Sequence, residues 1–193
     1  KKLVNAFYPT TKKRNEPLRD GKHSFYEGGL RVPFMVLGPN IGQGKVSEVP
    51  VTGLDLLPTF NQLAGGTGKL DKMDGGSLTD VIFSKNNQVS RPKEGLFFHQ
   101  GSHRKPRSVI IKDQYKLIKY WEKDSKYPGT PKTELYNIAE DPFEKNDLFK
   151  SERVIADKLL SELLTTIEEY GGITEKTSIE SGIYRSWRAL QEQ

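Results

Sequence analysis

Apolar residues in the first half of the chain form short runs closed by turn-forming residues. Phe34–Leu37 is such a run, preceded by Pro33 and followed by Gly38-Pro39. A short apolar stretch between turn residues is typical of a buried strand, and proline is tolerated at the first position of a strand because no ladder donor is lost there. The pattern therefore predicts a buried strand within Leu30–Leu37.

Two short helices are predicted after this strand. Asp55 is placed to cap a helix that ends at Gly65-Gly66, with Pro58 in the first turn, where backbone N–H groups have no intrahelical partner. Its apolar positions form one predicted buried stripe, consisting of Leu56, Phe60, Leu63 and Ala64. Ser77–Phe83 predicts a second helix, and the polar residues 86–94 indicate a linker.

The second half predicts a small antiparallel sheet crossed by one amphipathic helix. The predicted strands are Gly95–Gln100, a hairpin of Ser108–Ile111 and Tyr115–Trp121, and Glu134–Asn137. A helix is predicted over Ser151–Tyr170 because apolar residues recur there at helical spacing, at Ile155, Leu159, Leu160, Leu163, Leu164 and Ile167. Ile173–Gln193 is predicted to be a trailing arm.

Composition narrows the possible classes of protein. Of the 193 residues 34% are hydrophobic, which is low for a self-contained domain, so part of the core is expected to come from another segment. No apolar run approaches the roughly 18 residues that cross a bilayer, and residues 1–11 lack the apolar stretch of a signal peptide. The absence of cysteine excludes a disulfide, a thiolate metal site and a cysteine nucleophile within this chain.

Basic residues are concentrated in two segments. Residues 1–32 contain eight Lys or Arg and three acidic residues, and residues 101–132 contain nine and three, whereas residues 133–193 contain seven and thirteen. Two interpretations remain open: solvated surface beside an acidic helix, or basic segments that converge on an anionic ligand. Nucleic acid is disfavoured as that ligand because zinc-finger, RNP-like and GXXG spacings are absent and the acidic tail would repel a polyanion.

No complete active site can be assembled from the residues alone. The three histidines, His23, His99 and His103, have no metal-binding spacing. Lys22 follows a glycine near the end of a loop, where an ammonium group can approach an anionic ligand closely. Glu27 and Arg31 are four residues apart and are expected to pair with each other rather than to act in acid–base chemistry.

One stretch is distinctive: Gly21-Lys22-x-x-x-Tyr26-Glu27-Gly28-Gly29-x-Arg31-Val32-Pro33 resembles the second signature of the formylglycine-dependent sulfatases, in the alkaline phosphatase superfamily. Further stretches resemble later parts of that family in the same order. They are Leu54–Thr59 with Leu63–Gly65, Met73–Leu78, Tyr115–Ile118, and Glu134–Asn137 with Glu140–Leu148. Together these blocks cover about residues 17–165, so the resemblance is specific and does not depend on a single motif.

The resemblance implies an α/β, alkaline-phosphatase-like fold. Residues 1–90 would be the last strand and helices of a large mixed-sheet catalytic domain. Residues 91–193 would be a four-stranded antiparallel subdomain packed on a C-terminal helix, with the trailing arm. The formylglycine nucleophile, made from Cys or Ser, and the calcium ligands would lie in an upstream catalytic half, so this segment alone is expected to be inactive.

The resemblance also implies roles for individual residues. Lys22 would contact the sulfate oxygens and stabilise charge that develops as the S–O bond breaks. His23, His99, His103 and Arg104 are expected to contact a sulfated small molecule or glycan, and Arg107 is either a further substrate contact or a partner of the acidic helix. Two alternatives stay open: a phosphodiesterase or phosphonate monoester hydrolase of the same superfamily, and a non-catalytic module that binds sulfated glycans. Family members are commonly periplasmic, secreted or lysosomal.

Overall fold

The structure is a computed structural model that describes residues 15–66, 73–100, 106–121 and 133–172. The chain divides into two units. The first combines the residues up to Arg31 with those from Phe97 onward, and the second is Val32–Leu96. The predicted boundary near residue 90 concerns the organisation of a larger domain and stays a prediction. The predicted trailing arm, residues 173–193, lies outside the described residues.

A four-stranded sheet is the centre of the first unit. Its strands are β1 Leu96–Gln100, β2 Arg107–Lys112, β3 Tyr115–Tyr120 and β4 Thr133–Asn137, in that spatial order. The pairs β2–β3 and β3–β4 are antiparallel, and Ile110 lies opposite Leu117 in the hairpin. Asp113 makes the tight hairpin turn with a φ of 53°. The predicted antiparallel sheet is confirmed, with every strand end within two residues of its predicted position.

One face of this sheet packs against a single long helix, labelled α4, Arg153–Glu169. The core between them is apolar and consists of Ile110, Leu117, Trp121, Leu135, Ala156, Leu159, Leu163 and Ile167. Most of the predicted stripe is therefore correct, but Leu164 is 38% exposed because it lies at the edge of the packed face. The helix starts two residues after the predicted cap Ser151, whose hydroxyl instead donates to the Leu148 carbonyl.

The opposite face of the sheet carries polar side chains among apolar ones. Because successive side chains alternate across a strand, Lys116, Ile118 and Tyr120 point away from α4. Their neighbours on β4, Glu134 and Tyr136, point the same way and bond to residues of the segment 15–31. That segment, which includes the short helix α1 Glu27–Leu30, is therefore held on the polar face of the sheet.

The second unit contains a 3₁₀ turn Gly53–Asp55, the helix α2 Leu56–Leu63 and the helix α3 Thr79–Ile82. The two predicted helices are present, but the buried stripe predicted for α2 is wrong. Phe60 and Leu63 are 60% and 51% exposed, Ala64 is exposed, and Leu56 is only half-buried. The α2 residue that is buried is Thr59, because its hydroxyl bonds to the backbone of the neighbouring loop.

The predicted buried strand at Phe34–Leu37 is also wrong for this chain. These residues form no strand, and Met35 and Leu37 are 90% and 95% exposed. An extended segment becomes a strand only when a neighbour accepts its backbone hydrogen bonds. No strand in the described part of the chain pairs with Phe34–Leu37, so the apolar run has neither a ladder nor a cover.

Asp55 holds the second unit together. Its buried carboxylate accepts hydrogen bonds from Arg91 Nε at 2.9 Å and Nη2 at 2.7 Å, from Gly76 N at 2.9 Å and from Thr52 N at 2.8 Å. The loop approaches so closely that a Cβ on Gly75 would lie 2.1 Å from the Leu54 carbonyl oxygen. Burial alone would raise the pKa of Asp55, but these donors outweigh it and hold the pKa below its usual value.

No helix in the described residues has the length and apolar content to cross a bilayer.

The burial of α4 predicts unequal effects for two adjacent leucines. Leu163 is fully buried and Leu164 is partly exposed. We expect Leu163→Ala to lower the free energy of unfolding by about 3 kcal/mol, because it leaves a cavity in the core. Leu164→Ala, the matched control, should cost less than about 1 kcal/mol. Urea denaturation followed by circular dichroism measures both, and equal losses would contradict the described packing.

The lowered pKa of Asp55 predicts a pH dependence of stability. A depressed pKa contributes stability that is present above the unfolded-state pKa of about 4 and is lost as the pH falls through the folded-state value. Asp55→Asn should therefore cost about 3 kcal/mol at pH 7, and less under acidic conditions, because the partly buried Arg91 loses its carboxylate partner. Asp80→Asn, which breaks an exposed ion pair with Lys85, is the control. Denaturation at several pH values would contradict the role of Asp55 if both variants behaved alike.

Candidate functional site

Lys22 lies at the tip of a tight turn in the segment 15–31. Ser24 N donates to the Gly21 carbonyl at 3.0 Å, and His23 has a φ of 71°, as a turn with a left-handed third residue requires. The side chains of Lys22 and His23 are exposed. Within the described residues Lys22 has no hydrogen-bond or ion-pair partner. Its ammonium group is therefore available to an anionic ligand.

Two glycines bring the backbone of this segment into close contact with itself. A Cβ on Gly28 would lie 2.4 Å from the Arg19 carbonyl oxygen, and one on Gly29 would lie 2.2 Å from the Ser24 carbonyl oxygen. Gly28 N also donates to the Arg19 carbonyl at 2.9 Å. A side chain at either position would push the neighbouring backbone away. The close packing beneath the Lys22 turn therefore requires glycine at both positions.

A buried ion cluster anchors the segment to the sheet. Lys116 Nζ lies 2.9 Å from Glu27 Oε1 and 2.8 Å from Glu144 Oε1, and its side chain is fully buried. Glu144 Oε2 accepts a hydrogen bond from Glu27 N at 2.7 Å. The expected pairing of Glu27 with Arg31 is loose, at 3.9 Å. The main partner of Glu27 is therefore Lys116. This pair could not be predicted from the sequence, because the two residues are far apart along the chain.

Glu144 has both a raised pKa and an uncommon backbone conformation. Burial raises its pKa, and the Lys116 ammonium opposes that rise without cancelling it. Its φ of 53° is left-handed, a conformation that residues other than glycine rarely adopt. Contacts on both its side chain and its carbonyl, which accepts from Arg19 Nη1 at 2.7 Å, keep it there.

A second network joins Arg19 to Glu134 through tyrosines. Arg19 donates to the hydroxyls of Tyr136 at 2.8 Å and Tyr26 at 3.0 Å, and both hydroxyls donate to Glu134 Oε2. The guanidinium also stacks on the Tyr26 ring, 3.8 Å from its centroid. The Tyr120 hydroxyl lies 2.9 Å from that of Tyr26. Both charges are therefore satisfied without direct contact.

Burial sets the protonation of this network. It raises the pKa of Glu134, and it raises the pKa of Tyr120 to about 12. It also raises the pKa values of Tyr26 and Tyr136, with the Glu134 carboxylate as a further cause. The tyrosines are therefore neutral donors at pH 7, and their role is to hold the loop rather than to transfer protons.

Arg107, at the start of β2, does not pair with the acidic helix as one of its two expected roles required, and its contact with substrate stays a prediction. Its side chain points away from α4, its Nη2 donates to the His23 carbonyl, and its guanidinium lies 4.9 Å from the Phe25 ring centroid. Phe25 in turn lies 6.2 Å from the ring of Phe98 on β1. Arg107 is thus a partner of the Lys22 turn, not of the acidic helix.

His99 belongs to the other side of the sheet. Its Nδ1 lies 2.7 Å from the hydroxyl of Ser108, which accepts a hydrogen bond from Trp121 Nε1. The buried hydroxyl must donate in turn, so the neutral imidazole accepts at Nδ1 and carries its proton on Nε2. Desolvation lowers the pKa of His99. The structure does not bring His99 to Lys22, and its contact with substrate stays a prediction.

Two further predicted site residues, His103 and Arg104, lie outside the described residues. Of the predicted residues, the structure thus brings together Lys22 and His23, on one turn. Within residues 15–66, 73–100, 106–121 and 133–172, no three His, Asp or Glu side chains cluster to hold a metal ion. The described residues therefore do not provide a set of ligands for a calcium ion.

Comparison with known proteins identifies the chain. Residues 20–170 match the protein family described as N-sulphoglucosamine sulphohydrolase, C-terminal. This chain belongs to the sulfatase family. The matched range includes the Lys22 turn, the sheet and α4.

Individual sulfatases support this assignment over most of the chain. A sulfatase of Formosa agariphila is 33% identical over 148 residues, which cover 69% of this chain and 25% of that protein. The ulvan-active sulfatase of the same organism is 27% identical over 186 residues, 82% of this chain and 37% of the relative. The chain thus spans between a quarter and two fifths of the length of these relatives.

Solved structures agree with the fold. The structure of Ps i-CgsB in complex with k-i-k-neocarrahexaose superposes with a TM-score of 0.63 at 30% identity. The match covers 79% of this chain and 32% of the other. A solved 2-O GAG sulfatase superposes with a TM-score of 0.55 at 27% identity, over 87% of this chain and 34% of the other. The antiparallel sheet and its helices therefore have the fold of a sulfatase.

The family motifs acquire physical meaning from these contacts. Glu27 of the signature, Lys116 of the Tyr115–Ile118 stretch and Glu144 of the Glu140–Leu148 stretch form one buried cluster. The role of Lys116 was not predicted, since a lysine between apolar residues of a strand resembles an exposed position. The sequence did contain a hint of this burial. The adjacent apolar residues Leu117 and Ile118 point to opposite faces of the strand, so both faces are expected to be covered, including the one that carries Lys116.

The close approach at Gly28 predicts a strong effect of a single methyl group. Gly28→Ala should lower the free energy of unfolding by about 2 kcal/mol or more, because the Arg19 carbonyl oxygen must move. Gly53→Ala is the control, since a Cβ there meets nothing within 4 Å. Thermal melting measures both variants, and an unchanged melting temperature for Gly28→Ala would contradict the loop geometry.

Proposed function

We propose that the chain is the C-terminal part of a sulfatase that hydrolyses sulfate esters, and that Lys22 contacts the sulfate group. Overall, the reaction consumes one water molecule, breaks the bond between sulfur and the ester oxygen, and releases the alcohol and sulfate. The sulfate-ester activity belongs to the whole protein, with an upstream catalytic half as the partner of this segment. Alone, the segment lacks the nucleophile and is inactive.

The observation that carries the proposal is the exposed, unpaired ammonium of Lys22 on a rigid turn. Negative charge develops as the S–O bond breaks. A preorganised cation therefore stabilises the transition state more than it stabilises the ground state. The turn is supported by the Gly28-Gly29 contact and by the Arg107 bond to the His23 carbonyl. Lys22 therefore reaches the sulfate with little reorganisation.

A sulfated carbohydrate is the proposed substrate class. One relative is named for activity on ulvan, another is a delta 4,5-hexuronate-2-O-sulfatase of Bacteroides thetaiotaomicron, and a similar structure contains a neocarrahexaose. His23, next to Lys22 on the exposed turn, contacts the substrate beside the sulfate. His103 and Arg104 are proposed as further substrate contacts, and His99 has the weakest case because it lies on the helix-facing side of the sheet.

The nucleophile and metal are assigned elsewhere in the protein. We propose that a formylglycine, made from Cys or Ser, and a calcium ion are held by upstream residues. There the formylglycine would supply the oxygen that attacks sulfur, and the calcium ion would neutralise charge on the sulfate. The proposed compartment is periplasmic, secreted or lysosomal, as is common for sulfatases.

The proposal predicts a selective loss of activity on Lys22→Ala. In the full-length protein, this change should lower kcat/KM for an aryl sulfate by about 100-fold to 1,000-fold, as for other single contacts to developing negative charge. Lys150→Ala, which removes another exposed lysine of the same unit, should change it less than about 2-fold.

The same assay separates the alternatives. An aryl phosphate diester is tested in parallel with the sulfate. Preference for the diester would show a phosphodiesterase or phosphonate hydrolase of the superfamily and overturn the sulfatase proposal. Binding of sulfated glycan without turnover of either substrate would instead support a non-catalytic module.

A further inference from the structure

We propose that Arg107 is a positioning residue for Lys22: its guanidinium fixes the turn that presents the lysine to the substrate. The inference rests on the proposed function of Lys22 and extends it to a residue of the sheet. Arg107 does not touch the substrate in this arrangement. It acts through the backbone of the residue that follows Lys22.

The contacts of Arg107 surround the turn. Its Nη2 donates to the carbonyl of His23, and its guanidinium packs on the ring of Phe25, two residues further along. The Phe25 ring is backed by Phe98 of β1. The end of the turn is therefore attached both by a charged hydrogen bond and by stacked side chains to the rigid sheet.

The conformation of His23 needs such support. A φ of 71° is unfavourable for a residue with a Cβ, and persists where surrounding contacts determine it. In this conformation the carbonyl of His23 accepts a hydrogen bond from Arg107. Releasing it would allow His23 to return to a common backbone region, and the preceding Lys22 would then move.

Arg107 is buried although its side chain is charged. Only 8% of the residue is exposed, and within the described residues its Nε is buried without a hydrogen-bond partner. A buried charge with an unsatisfied donor destabilises a fold unless another interaction offsets the cost. Among the described residues, this guanidinium contacts the His23 carbonyl and the Phe25 ring. Its positive charge also acts on the Tyr120 hydroxyl, where it opposes the rise in pKa that burial causes.

A double-mutant cycle in the full-length protein tests the inference. Arg107→Met keeps the side-chain volume and removes the donor. We expect it to lower kcat for an aryl sulfate by about 30-fold to 100-fold per folded molecule, with KM within about 3-fold, since misplacement by about 1 Å has effects of this size. In a Lys22→Ala background the same change should alter kcat by less than about 3-fold, because its target is already gone.

Two further variants keep the test decisive. Lys119→Met removes a cation from the α4-facing side of β3 and should leave kcat within about 2-fold. Arg107→Lys retains the charge and one donor and should restore part of the activity, so it replaces Arg107→Met if that variant does not fold. Circular dichroism gives the folded fraction of each variant.

The outcomes separate this inference from the function on which it rests. If Lys22→Ala has no effect, the proposed function fails. If Lys22→Ala is impaired and the Arg107 change multiplies that loss in full, Arg107 acts independently of Lys22 and the inference is overturned. An Arg107→Met protein with normal kcat per folded molecule would overturn it as well, and so would an Arg107→Lys protein that is no more active than Arg107→Met.

Discussion

The described structure of the first unit depends on one buried cation. Lys116 is completely removed from water and lies between Glu27 and Glu144, at 2.9 and 2.8 Å. Desolvating an ammonium group is costly unless opposite charges replace the lost water, so the three side chains stabilise one another only when they are assembled together. Since they come from a short helix, a strand and a turn that are far apart in sequence, their assembly fixes how those elements meet.

This constraint explains why the sheet has two different faces. The face toward α4 is closed by apolar packing, which is tolerant of small changes in position. The other face meets the segment 15–31 through charges and hydrogen bonds, whose strength depends on distance and direction. These contacts attach the segment 15–31 to the sheet, with Lys22 at the tip of its turn. The proposed contact of Lys22 with sulfate depends on this fixed position, because a preorganised charge stabilises a transition state best.

The elements that were predicted well are those whose partners are local or repeated. The hairpin Arg107–Tyr120 has alternating faces and a short polar turn, and α4 has its apolar residues at helical spacing, so both could be placed within two residues. The wrong predictions, the strand at Phe34–Leu37 and the buried stripe of α2, concern apolar residues whose burial needs a partner. Periodicity shows that a surface is apolar, but it does not show what covers it.

The sequence by itself determined the family resemblance, the order of the elements in the second half and the choice of Lys22 as the candidate sulfate contact, because these depend on local spacing and on glycine in motifs. Only the tertiary structure showed that Glu27 pairs with Lys116 rather than with Arg31, that Arg107 binds the turn of Lys22, and that His99 faces the helix. Such contacts join residues about 90 positions apart or depend on which face of a strand is covered. A charged or polar side chain that is removed from water needs a partner. Which side chains are removed from water is settled only when the chain folds.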